Sequence, residues 1–151
     1  MIGGWFIFRE NITIYFLLFL VGYVLMNEGF TLVNTCEDFK EDEKEKIRTW
    51  AHVMGLKKTL KLAFIFSLCG LLCILGLFLK LYQNTWDIVY IPAIVSIFFT
   101  LILILKSSFE VREVYLGEDL EVRAKKYGTR LQKWFLMTRY PLLISSLLLL
   151  L

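Results

Sequence analysis

The chain has 151 residues, 58% of them hydrophobic, with 17 lysines and arginines against 14 acidic residues and a net charge of +3. The charges are confined to a few segments with long, nearly charge-free stretches between them, which excludes an ordinary soluble domain and fits a multi-span membrane protein. Three cysteines, two of them inside an apolar run, give no disulfide framework, the net charge means less than its distribution, and no nucleic-acid partner is expected.

Crossing about 30 Å of hydrocarbon takes roughly 20 apolar residues. Segments of that kind lie near residues 12–30, 60–82, 86–105 and 134–151. The start, with Gly3-Gly4-Trp5 and no basic stretch, argues against a cleaved signal peptide. The expected fold is therefore all-α: a single domain over 1–151, a polytopic bundle of about four transmembrane helices. Loops are expected near 31–59 and 106–133. These loops hold most of the lysine and arginine, among them Lys40, Lys44, Lys46, Arg48, Lys57 and Lys58 in the first and Lys106, Arg112, Arg123, Lys125, Lys126, Arg130 and Lys133 in the second. Four spans place both loops on one side, and the positive-inside rule makes that side cytoplasmic.

After the first span comes the run EDFKEDEKEKIRTWAHVMG, residues 37–55. Glu37, Asp38, Glu41 and Asp42 recur at a spacing of four, so on a continuing helix they share one side. Pairs such as Glu37–Lys40 and Glu41–Lys44 are spaced for helical ion pairs. Against a merely solvated face stand three like-charge neighbours, Glu37–Glu41, Asp38–Asp42 and Glu41–Glu45. A polar ladder also runs backward into the membrane through Asn34, Thr31 and Asn27, with Glu28 beside it, and such groups are costly in lipid unless they face a cavity or partner. Carboxylates at the lipid surface, followed by Arg48, His52, Lys57 and Lys58, suit Mg²⁺ holding a phosphorylated ligand. His52 is the only histidine, and a lone histidine is more often structural than catalytic.

Gly55 fits a tight connection into the second span. There Cys69, Gly70, Cys73 and Gly76 read as small residues at a close helix–helix contact. Gln83-Asn84-Thr85 reads as a short link that makes the second and third spans an antiparallel hairpin. Trp86, Tyr90, Trp134 and Tyr140 read as interfacial anchors. Between Phe109 and Lys133 the mixed pattern of Val111, Val114, Tyr115, Leu120 and Val122 among charges reads as a surface-lying amphipathic helix bounded by Gly117 and Gly128.

Residues 37–55 resemble the second aspartate-rich motif of the UbiA superfamily of intramembrane prenyltransferases and the loop that follows it. The family pattern is E-D-x-x-x-D, then a basic residue and Ser/Thr, then a glycine six residues on. Here these are Glu37-Asp38-x-x-x-Asp42, Arg48-Thr49 and Gly55, and Leu-Lys-Lys-x-Leu-x-Leu-Ala opens the next span. The resemblance implies transfer of a prenyl group from an isoprenoid diphosphate to a lipophilic acceptor, with Mg²⁺ as cofactor. It implies that Asp38 and Asp42 are metal ligands and catalytic, with Glu37 a ligand or beside one. Asn34 and Glu41 would line the substrate site, and Arg48 and Lys57 would face the phosphates, Arg48 as a catalytic group as well. The earlier motif of the family, N-D-x-x-D-x-x-x-D or similar, has no match: Asn84–Asp87 has the wrong spacing, and Glu118, Asp119 and Glu121 lie in the wrong place. Lys46 also stands where the family often has glycine. The chain is thus expected to correspond to the C-terminal part of the family fold and to need a partner chain bearing the first motif. The alternative is a non-catalytic four-span scaffold or assembly subunit whose acidic loop binds a protein or cations. Divalent-cation transport would need intramembrane carboxylates on several helices, and Glu28 is the one candidate.

Overall fold

In the computed structural model the described residues are 14–114 together with Lys133. They form α1 (Ile14–Glu37), two short helices α2 (Phe39–Lys44) and α3 (Trp50–Met54), α4 (Leu56–Thr85), a 3₁₀ turn (Ile88–Tyr90) and α5 (Ile91–Val114). No strand occurs among the described residues. Three segments, Ile14–Glu37, Leu56–Thr85 and Ile88–Lys106, are long and apolar enough to cross a membrane. At 1.5 Å per residue the 24 residues of α1 and the 30 of α4 reach about 36 and 45 Å. The chain is an integral membrane protein with at least three helices of spanning length. The expected fourth span, 134–151, lies outside the described residues, as does the expected surface helix beyond Val114.

The helices run further than the hydropathy pattern suggests. The first continues seven residues past Phe30 and carries Asn34 to the rim of the acidic run. The third runs through Val114, so residues 106–114 continue the helix beyond the segment of spanning length, which ends at Lys106. Gln83-Asn84-Thr85 is the last turn of α4 and not the link. The Thr85 hydroxyl donates to the Leu81 carbonyl at 3.0 Å, which satisfies that side chain within the helix. The chain reverses instead at Trp86, whose backbone is left-handed (φ 55°, ψ 26°) and whose N–H donates to Tyr82 O at 2.7 Å. Asp87 then caps the 3₁₀ turn by accepting from Val89 N–H at 3.0 Å. Tyr90, expected at the interface, is only 5% exposed and meets the Phe78 ring edge-on at 6.1 Å. An aromatic side chain beside a reversal is apolar enough to fill the hairpin core, and here packing takes precedence over the membrane boundary.

α4 is the central element: α1 packs along it extensively, and α5 returns beside it. The register is antiparallel. Cys36 Sγ lies 3.9 Å from Leu56 O at one end, and Asn84 Nδ2 lies 3.5 Å from Tyr15 OH at the other. Between them the backbones approach very closely at glycine. A Cβ placed on Gly70 would sit 2.5 Å from Gly22 O and 2.6 Å from Met26 N. One placed on Gly29 would fall on the Ser67 hydroxyl and 2.7 Å from Ala63 O. Lipid tails are as apolar as leucine, so burial alone does not drive such helices together; close approach and dispersion contact do. The expectation of a small-residue contact on α4 holds for Gly70 and Cys73. It fails for Gly76, where an added Cβ would meet nothing within 4 Å, and Cys69 is exposed.

Two backbone positions in the connection are conformationally demanding. Gly55 has φ +83° and ψ +149°, close to a region that L side chains avoid. Alanine at Gly55 is expected to cost about 1–3 kcal/mol, measured as a fall in thermal stability in detergent micelles. Lys46 has φ +58°. Its N–H donates to Glu43 O at 3.2 Å, and Ile47 N–H donates to Asp42 O at 2.9 Å, the paired bonds of a Schellman helix end. That geometry accounts for the glycine frequent at this position in the resembled motif. Lys46→Gly is expected to stabilise the chain by about 1 kcal/mol, read as a higher melting temperature; a lower one would contradict this account.

Candidate functional site at the acidic end of the first helix

The acidic run does not break cleanly away from the membrane helix. At Asp38 the backbone bends (φ −93°, ψ 8°) into the sparsely populated bridge region. Helical hydrogen bonding nevertheless carries across it: Asp38 N–H donates to Asn34 O at 3.1 Å, and Asp42 N–H donates to Asp38 O at 2.8 Å. Asn34, Asp38 and Asp42 therefore follow one another at one-turn intervals. The Schellman bond to the Asp42 carbonyl then fixes the far end of α2. Asp38 is exposed and Asp42 half-buried.

α3 is held against this end by several separate contacts. Ala51 is fully buried. The His52 ring stacks on Phe39 of α2 at 4.3 Å with planes 15° apart, and its Nδ1 lies 2.8 Å from Thr49 Oγ1. The buried Thr59 hydroxyl donates to Gly55 O at 3.0 Å and reaches the Trp50 carbonyl at 3.4 Å. His52 thus serves as a joint between α2 and α3, in line with the structural reading of a lone histidine. Phe39 and Thr59 escaped sequence reasoning, because an aromatic in a charge run and a threonine in a span carry no signal until their partners are known.

Because α1 and α4 are antiparallel, Lys57 at the start of α4 lies at the same end as Asp38 and Asp42. Glu37 is half-buried, and both it and Lys57 engage neighbouring groups. Asn34 is half-buried, whereas Glu41 and Arg48 are exposed. On α1 the side chains packed toward α4 are Gly22, Met26, Gly29, Val33 and Cys36, all buried. At 100° per residue, Asn27, Thr31, Asn34 and Asp38 fall on the opposite face. Asn27 and Asn34 are half-buried there, and Thr31 and Asp38 exposed. The polar ladder is thus a real stripe that leads from the acidic end into the span.

Among the described residues no three His, Cys, Asp or Glu side chains gather as a metal-holding group. A dedicated protein cage for a divalent cation is therefore not formed by Glu37, Asp38 and Asp42 as they stand. The donor chemistry still fits Mg²⁺ carried on a phosphate, which takes hard oxygen ligands and is bound through one or two carboxylates with phosphate oxygens and water completing the shell. Asp38 and Asp42, one turn apart, supply that number.

Comparison with known proteins agrees with the motif. The family model of the UbiA prenyltransferase family matches residues 1–114, which take in the acidic run and the three helices of spanning length among the described residues. No curated protein and no solved structure matches the chain. With 114 of its 151 residues covered by that one match, the chain belongs to the UbiA prenyltransferase family.

Proposed function

We propose that this chain supplies the second acidic motif of a membrane prenyltransferase that moves a prenyl group from an isoprenoid diphosphate to a lipophilic acceptor. The observation that carries the reading is the pair Asp38 and Asp42, one helical turn apart at the end of a membrane helix, with Arg48 and Lys57 at the same end. Asp38 and Asp42 hold the Mg²⁺ of the diphosphate, which when bound offsets charge at the leaving oxygen. As the allylic carbon–oxygen bond weakens, negative charge grows on the diphosphate. Arg48 answers it with a planar fork of donors and Lys57 with a compact cation. Asn34 and Glu41 line the approach and orient the head group, while the prenyl tail lies among the helices.

The acidic end faces the cytoplasm in this reading, because Lys57, Lys58 and Lys61 at the start of α4 and Lys106 toward the end of α5 lie there. The described residues offer one acidic cluster, residues 37–45, and a diphosphate between two such clusters is held more fully than against one. A partner chain bearing the other cluster therefore completes the enzyme. A non-catalytic scaffold draws support from the lack of a three-ligand group among the described residues.

A photoreactive isoprenoid diphosphate applied to membranes containing the chain separates the two. Prenyl transfer predicts labelling that needs Mg²⁺, disappears with EDTA and is competed by inorganic diphosphate. Labelling indifferent to both treatments sinks the enzymatic reading and leaves the scaffold.

A further inference from the structure

The connection between α1 and α4 divides by charge. Residues 37–45 hold six acids, Glu37, Asp38, Glu41, Asp42, Glu43 and Glu45, against two lysines, Lys40 and Lys44, whereas residues 46–61 hold five bases, Lys46, Arg48, Lys57, Lys58 and Lys61, and no acid. In the second part three apolar side chains are exposed: Ile47, in the stretch before α3, by 47%, and Trp50 and Val53, one turn apart on α3, by 59% and 71%. They lie outside the segments of spanning length, so contact with the hydrocarbon core does not account for them. Nor are they loosely held. Ala51, the Phe39–His52 stack and the Thr59 hydroxyl fix the inner side of α3, which leaves Trp50 and Val53 no inward alternative.

We infer that Ile47, Trp50 and Val53 form a membrane-surface anchor that seats in anionic phospholipid headgroups, with Lys58 and Lys61 contacting the lipid phosphates. Tryptophan favours the headgroup region because its ring is apolar at one end and polar at the other. An apolar edge with lysines beside it is the pattern of a peptide lying in the interface plane. Lys58 and Lys61 are exposed at the start of α4, at the end from which α3 leaves. The spans on either side already hold the connection at the bilayer, so the ordering cost of reaching lipid is small. The anchor would fix the height of the loop, and with it that of Arg48, against the membrane surface. It holds whether or not the chain transfers prenyl groups.

The test leaves Trp50 as the sole tryptophan, through Trp5→Phe, Trp86→Phe and Trp134→Phe, in protein reconstituted into phosphatidylcholine bilayers with and without phosphatidylglycerol. Lipids brominated near the glycerol and aqueous acrylamide serve as competing quenchers. The anchor predicts blue-shifted Trp50 emission, quenched more by bromolipid than by acrylamide, with phosphatidylglycerol increasing the effect. Lys58→Gln and Lys61→Gln should each lower the preference for phosphatidylglycerol about fivefold. Free acrylamide quenching without a bromolipid effect places Trp50 in water and overturns the inference. Protection from both quenchers overturns it in favour of a protein cover. Bromolipid quenching blind to phosphatidylglycerol and to both lysine changes overturns the anionic-lipid assignment.

Discussion

In the enzyme assembled with its partner chain, replacing Asp38 or Asp42 by asparagine is expected to lower prenyl transfer by about two to three orders of magnitude, with the bundle unchanged. Asparagine keeps the shape of the side chain and can still accept a hydrogen bond, so what is lost is the negative charge toward a divalent cation. The local fold does not depend on either carboxylate. The bonds at this end run through the backbone, Asp38 N–H to Asn34 O and Asp42 N–H to Asp38 O, and neither side chain caps α2. Melting temperature in detergent should therefore stay within a degree or two of the parent while turnover collapses. Glu43→Gln, one residue after Asp42 and exposed, should cost far less. Equal losses at all three positions would point to general surface charge in place of a specific pair.

The second large effect is structural. Gly70→Val should separate α1 from α4, because even a Cβ there would meet Gly22 O at 2.5 Å and Met26 N at 2.6 Å. Both are backbone atoms and cannot swing aside, so the helices must part along the contact that carries most of the packing. Overpacking of this kind costs about 1–3 kcal/mol or more, a large share of a total stability of about 5–15 kcal/mol. Gly76→Ala, six residues on along the same helix, is the matched control. It has open space around it and should be neutral or stabilising by up to about 1 kcal/mol. Thermal unfolding of the two variants in the same detergent gives the comparison. Similar melting temperatures for both would contradict the close crossing at Gly22 and Gly70.

Much of this architecture can be read from residue order. Long apolar stretches find the spans because the bilayer demands them, and the acidic run stands out because nothing else beside the lipid has six acids in nine residues. The ends of the helices are less legible. Gln83, Asn84 and Thr85 look like a turn by composition, but Thr85 bonds back to Leu81 O and the reversal falls to Trp86 and Asp87. Tyr90 carries the chemistry of an anchor and is taken up by Phe78, a partner in another helix. The register of α1 on α4 rests on Gly22 and Gly29 meeting Gly70, Ala63 and Ser67. Spacing within one helix marks such residues as small but does not say which ones meet.

The acidic site shows the same division. Spacing alone puts Asp38 and Asp42 one turn apart, and helical bonding across the bend at Asp38 preserves that interval. Lys46 looks like a departure from a glycine-bearing pattern until its positive φ shows the helix end that glycine would serve. The joint of His52 with Phe39 and Thr49 depends on a fold between two short helices, which no periodicity predicts.

The central claim concerns a grip on a metal-bound diphosphate, and it can be measured without turnover. Mn²⁺ can replace Mg²⁺ as a paramagnetic reporter of hard oxygen ligation. In protein reconstituted with an isoprenoid diphosphate, titration followed by electron paramagnetic resonance should show a bound Mn²⁺ population that requires the diphosphate. That population should vanish in the Asp38→Asn/Asp42→Asn double variant. Undiminished Mn²⁺ binding by the double variant would contradict the assignment and remove these carboxylates from the site.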